Sequence, residues 1–74
     1  MQQENIDILF GRHLKKLREQ KHKSVNMFSY ENDLVPATIS RIENGLISPR
    51  LQTLKKIAGA LDISLSELLR NLPG

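Results

Sequence analysis

An all-α fold of five helices is predicted for this chain from three observations. Apolar residues recur at spacings of three and four along most of its length, which is the period of one helical face. Ser, Asn, Pro and Gly interrupt those stripes where helices begin and end. No stretch carries the alternating pattern of a half-buried strand.

The first stripe is Ile6, Phe10, Leu14 and Leu17. Asn5 is its expected cap and Asp7 suits the positive end of the helix dipole, while Met1 to Glu4 have nothing to bury and are expected to fray. The helix should end near His22-Lys23, where Ser24 can cap the next one. Val25 and Phe28 then form an inward pair, with Asn26 and Glu31 facing water. Asp33 stands where the chain must turn, because Asp tolerates the left-handed conformation, and Leu34 plugs that turn.

Pro36 opens a third helix over 36–44, since its fixed φ fits and its missing N–H would have been unpaired there. At 100° per residue, Ile39 and Ile42 point one way and Ala37, Ser40, Arg41 and Asn44 the other. Asn44-Gly45 ends it. A helix this short is not stable alone, so its apolar face must hold it. After the loop Leu46-Ile47, Ser48-Pro49 repeats the cap-plus-proline start for a fourth stripe of Leu51, Leu54, Ile57, Ala58 and Leu61. Asp62-Ile63 breaks the chain again. Ser64 and Glu67 form a capping box for the last helix, whose apolar side is Leu65, Leu68, Leu69 and Leu72.

At 74 residues the chain is expected to form one domain spanning 1–74, since so short a chain buries only about 60% of the surface it exposes unfolded. There is no cysteine, so no disulfide or thiolate metal site supports the fold and one hydrophobic core must suffice. His13 and His22 lack the His-x3-His spacing of a metal site, and no metal or cofactor is expected. No apolar run approaches the length of about 18 residues needed to cross a membrane, and MQQENID is not a secretory leader. A soluble, cytoplasmic protein is expected.

The net charge of +3 is unevenly spread. Between Arg12 and Lys23 six Lys or Arg stand against one acidic residue, whereas residues 24–45 sum to −2. The basic stretch points weakly to nucleic acid. Enzymatic activity is not expected, because neither histidine has a nucleophile or acidic partner nearby in sequence and no Gly-rich phosphate loop occurs.

LKKLRE at 14–19, TISRIENG at 38–45, SPRLQTLKKIAGAL at 48–61 and ISLSELL at 63–69 occur in this order and spacing. Together they closely resemble the phage repressor and Cro-like (lambda-repressor-like) class of helix-turn-helix DNA-binding domains, over about Phe10 to Leu69. That resemblance implies a helix-turn-helix at 24–45, with the helix 36–44 entering the major groove of double-stranded DNA. It implies a sequence-specific transcriptional regulator, expected to be a repressor, in a bacterial or phage cytoplasm and associated with the nucleoid.

Position by position, Pro36, Ala37, Thr38, Ser40 and Arg41 match places where such domains touch base edges. Arg41 alone can make the bidentate contact that guanine favours. Ser24, Asn44 and Arg50 match phosphate-gripping positions. Arg18 and Glu43 match a structural ion pair between the first and third helices. A single short reading helix covers few base pairs, so a homodimer on paired half-sites is expected, with Leu46, Ile47, Leu65, Leu68 and Leu72 as candidate contacts. Val25, Ser29, Asn32 and Asp33 depart from the usual Gln, Ala, apolar residue and Gly of the motif. These departures leave open a second reading, an antitoxin-type or protein-interaction module built on the same fold. No small-molecule substrate is implied.

Overall fold

Asn5 begins the first helix by accepting a hydrogen bond from the Asp7 amide at 2.7 Å on its side-chain oxygen, which satisfies one of the donors a helix start leaves orphaned. In a computed structural model that describes residues 5–70 and 72, five helices follow: α1 (Ile6–Gln20), α2 (Val25–Glu31), α3 (Pro36–Glu43), α4 (Leu51–Ala60) and α5 (Leu65–Arg70). The fold is all-α, with no strand among the described residues. The expectation that Met1 to Glu4 fray lies outside the described residues.

Phe10, Leu14, Phe28, Ile39, Ile42, Ile57, Ala58, Leu61 and Leu68 form the core. Each side chain of this size removed from water contributes about 1.5–3 kcal/mol, Ala less, and that burial holds helices too short to persist alone. Helix α3 lies against both α1 and α2, and α4 packs on α5. Helix α3 is thus clamped from two sides by elements that precede it in the chain.

Left-handed residues make three of the sharp connections. His22, Asp33 and Asp62 have φ of 58°, 56° and 59°, an uncommon conformation that Asp tolerates better than most. Gly45 makes a fourth at φ 71°. There a side chain would also collide with Ile8, whose Cγ1 lies 2.7 Å from where a Cβ would stand.

Several boundaries differ from the sequence expectation. Helix α1 stops at Gln20 and the chain turns through Lys21 and His22, whose amides bond the Arg18 and Glu19 carbonyls at 3.0 and 2.9 Å. Helix α3 closes at Glu43, with Asn44 as its C-cap. Helix α4 begins two residues later than Ser48-Pro49 predicts, with Arg50 at the N-cap and no side-chain cap bond. The Ser48 hydroxyl is used elsewhere: it lies 2.6 Å from both carboxylate oxygens of Asp7 and ties the loop before α4 to the first turn of α1. A hydroxyl bonded to a charged carboxylate makes a stronger bond than a neutral cap would.

The stripes are also narrower than their sequence spacing. Ile6 and Leu51, each in the first turn of its helix, are 58% and 69% exposed, because those turns extend past the core. Leu69 faces outward at 39% exposed.

Candidate nucleic-acid interface

The geometry of the motif starts with its turn. Ser24 caps α2 by accepting from the Met27 amide at 3.1 Å, and Phe28 at 0% exposure anchors the helix in the core. Ser29 is also fully buried, yet its hydroxyl donates to the Val25 carbonyl at 2.7 Å, so no polar atom is stranded. Asn32 donates from Nδ2 to the Phe28 carbonyl at 2.7 Å. Leu34 closes the turn by sending its amide to the Ser29 carbonyl at 2.9 Å. The Lys56 ammonium approaches Asp33 from α4, 3.5 Å from its carbonyl oxygen and 3.6 Å from its carboxylate. Ser29 and Asn32 therefore have local backbone partners within α2, and Asp33 has Lys56 on α4.

Helix α3 then presents two faces. Ile39 and Ile42 are completely buried. Ala37, Ser40, Arg41 and Asn44 are exposed, and Pro36 and Thr38 are half-buried between the two faces. The Arg41 side chain makes no hydrogen bond or ion pair among the described residues, so its guanidinium is available to a ligand. Asn44 uses its Nδ2 to close the helix on the Ser40 carbonyl at 2.8 Å. Ser24 and Arg50 are exposed before α2 and at the start of α4.

The buried side of α3 is fixed by charge as well as by apolar packing. Arg18 Nε and Nη2 donate to the two Glu43 carboxylate oxygens at 2.7 and 2.9 Å, a two-pronged geometry that adds direction to attraction. The side chains are only 8% and 6% exposed. Arg18 Nη1 also donates to the Lys23 carbonyl at 2.6 Å, joining α1, the connection to α2 and the end of α3 at one guanidinium. The hydrogen bond with Glu43 raises the Arg18 pKa above its ordinary value, against the desolvation that lowers it.

Gly11 completes this junction and carries no sequence motif. A Cβ there would stand 2.3 Å from the Ile42 carbonyl oxygen and 2.7 Å from that of Glu43, so only glycine lets α1 approach the last turn of α3. The available signal was the glycine itself, inside an amphipathic helix where it is disfavoured by about 1 kcal/mol relative to Ala. His13 was likewise without an assignment. Its Nε2 lies 3.2 Å from the Leu68 carbonyl, linking α1 to α5.

The candidate dimer residues divide. Leu68 is corrected: at 0% exposure it belongs to the core and has no surface to offer a partner. Ile47, Leu65 and Leu72 are partly buried against that core, whereas Leu46 is 72% exposed. Among the described residues no cluster of His, Cys, Asp and Glu could hold a metal ion, and no described helix is long and apolar enough to cross a membrane.

Similarity to known proteins covers the same elements. The sequence matches the helix-turn-helix family over residues 14–68. It is 42% identical over 69 residues to the control protein C.MunI of a Mycoplasma species, spanning 92% of this chain and 93% of that protein. To the HTH-type transcriptional repressor RghR of Bacillus subtilis it is 41% identical over 61 residues, 81% of this chain and 45% of RghR. The crystal structure of the restriction-modification controller protein C.AhdI from Aeromonas hydrophila superposes with a TM-score of 0.80 at 30% identity, covering 85% of this chain and 96% of that one. The chain thus spans nearly all of each controller protein and less than half of RghR.

Proposed function

This chain belongs to the helix-turn-helix family, and on that premise we propose that it is a sequence-specific double-stranded DNA-binding transcriptional regulator, acting as a repressor. The observation that carries this reading is the outer face of α3: Ala37, Ser40 and Arg41 are exposed on a helix whose inner face is fully buried. In this reading α3 enters the major groove. Arg41 makes the bidentate contact to a guanine, and Pro36, Ala37, Thr38 and Ser40 meet neighbouring base edges. Ser24, Asn44 and Arg50 grip phosphates, fixing register without reading sequence.

The chain acts as a homodimer on two half-sites about one helical turn apart. Leu46 is the leading contact, with Ile47, Leu65 and Leu72 at its margin, in accord with their exposure. Likeness over nearly the full length to two controller proteins, one of them of a restriction-modification system, favours control of such a system over the broader roles of the longer Bacillus regulators.

An alternative reading as an antitoxin-type or protein-interaction module draws on Met27 and Tyr30, 50% and 74% exposed on the outer side of α2. Selection of bound fragments from a random duplex pool, followed by titration at increasing salt, decides between them. The DNA reading expects a two-fold-symmetric site and an affinity that falls steeply with salt, as phosphate contacts require. Failure to enrich any duplex would sink it.

A further inference from the structure

The leading end of α3 carries an arrangement that stability does not explain. Val35 occupies the N-cap, with extended backbone at φ −94° and ψ 122° and no side-chain cap bond. Ser, Thr, Asp or Asn would satisfy an orphan amide there, and valine is among the poorest residues for the position. Packing does not account for it either, because the Val35 side chain is 61% exposed. Pro36 follows, and the exposed Ala37 methyl completes the tip. Three successive residues thus carry no side-chain donor or acceptor. Ser40 and Arg41, one turn on, are exposed and polar, so the outer face changes from apolar to polar along its length.

Among the groups that base edges present in the major groove, the apolar one is the C5-methyl of thymine. The side chains of an apolar tip can favour one base over another only through that group. We propose, on the basis of the DNA-reading function above, that Val35 is a specificity-determining residue. With Pro36 and Ala37 it packs against a thymine C5-methyl at one position of each half-site, while Arg41 reads guanine further along the groove. One consequence follows from the chemistry of the tip. Without side-chain donors or acceptors it does not distinguish thymine from a cytosine carrying the same methyl, so 5-methylcytosine substitutes for thymine at that position and unmodified cytosine does not.

The test uses the full chain and its selected duplex. Each thymine is replaced in turn by deoxyuridine, which removes the methyl and leaves the hydrogen-bonding groups in place. One position per half-site should bind about fourfold more weakly, the effect of one methyl group returned to water. Cytosine at that position should weaken binding at least as much, and 5-methylcytosine should restore it to within about twofold of thymine. Val35→Ser removes both valine methyls and supplies a capping hydroxyl, so the variant folds; with only Pro36 and Ala37 left against the methyl, its preference for the thymine over the deoxyuridine duplex should fall below about twofold. Insensitivity at every thymine, or a Val35→Ser protein that keeps more than about twofold methyl discrimination, would overturn the proposal while leaving DNA reading intact. Absence of binding to any selected duplex would overturn both.

Discussion

The seam between α1 and α3 and the outer face of α3 draw on one eight-residue helix under opposite constraints. In the seam the close contacts are fixed by Gly11 and Arg18. Gly11 admits the last turn of α3 to within contact of α1, and the Arg18 guanidinium joins Glu43 to the Lys23 carbonyl. On the outer face Ala37, Ser40 and Arg41 are exposed, and the Arg41 guanidinium has no partner among the described residues. The difference teaches how so short a helix can hold a fixed outward face. Its orientation is fixed from behind, so its outward side chains need not contribute to stability and can be chosen for contact.

The comparison makes separable predictions. Glu43→Ala should have the largest effect, because it leaves a buried guanidinium without its carboxylate; a loss of roughly 3–5 kcal/mol is expected. At about 4–8 °C per kcal/mol for a chain of this size, a thermal melt will register it plainly. An unchanged melting temperature would show that the pair does not hold the seam. Gly11→Ala is expected to cost about 1–3 kcal/mol, since the new methyl meets backbone carbonyls rather than a flexible side chain. Denaturant titration measures this, and a neutral result would mean that α1 can retreat from α3 freely.

Arg41→Ala tests the other region. Stability should stay within about 0.5 kcal/mol, as for surface positions generally, while discrimination at one guanine falls by about 1–3 kcal/mol. Competition binding with duplexes altered base by base reads the second quantity, and a drop in stability instead would erase the distinction between the two regions. The smallest effect is expected at Gly59, exposed within α4 with nothing within 4 Å of an added Cβ. Gly59→Ala should add about 0.8–1 kcal/mol through helix propensity alone, with DNA affinity unchanged. Urea midpoints of the two proteins compare this directly. Gly11 and Gly59 lie in helices of similar pattern, so opposite signs at the two would isolate the seam as the cause.

Much of this was legible in the chain. Asn5, Ser24, Ser64 and Glu67 act as caps where their chemistry indicates, with the Glu67 amide donating to Ser64 Oγ at 3.0 Å. Asp33 and Asp62 make the turns that their tolerance of positive φ allows. The errors share one origin. Ser48 has the local signature of a cap but bonds Asp7, 41 positions earlier in the chain, and Leu68 looks like surplus surface but fills the core. A residue with both a local and a distant option is decided by which partner is stronger, and the distant one is invisible to spacing.

By itself the sequence determined the helices, the caps of α1, α2 and α5, the turn chemistry and the division of α3 into a buried Ile39-Ile42 face and an exposed Ser40-Arg41 face. These follow from φ/ψ preferences and from a period of 3.6 residues, which act over a few positions. Only the tertiary structure decided the meaning of Gly11, the polar partners of Ser29 and Asn32, and the capture of Ser48 by Asp7. It also decided that Val35, an apolar residue at a capping position, stands exposed at the leading end of α3. Close approach and exposure are set by which surfaces the packed helices cover, and local spacing along one chain does not specify that covering.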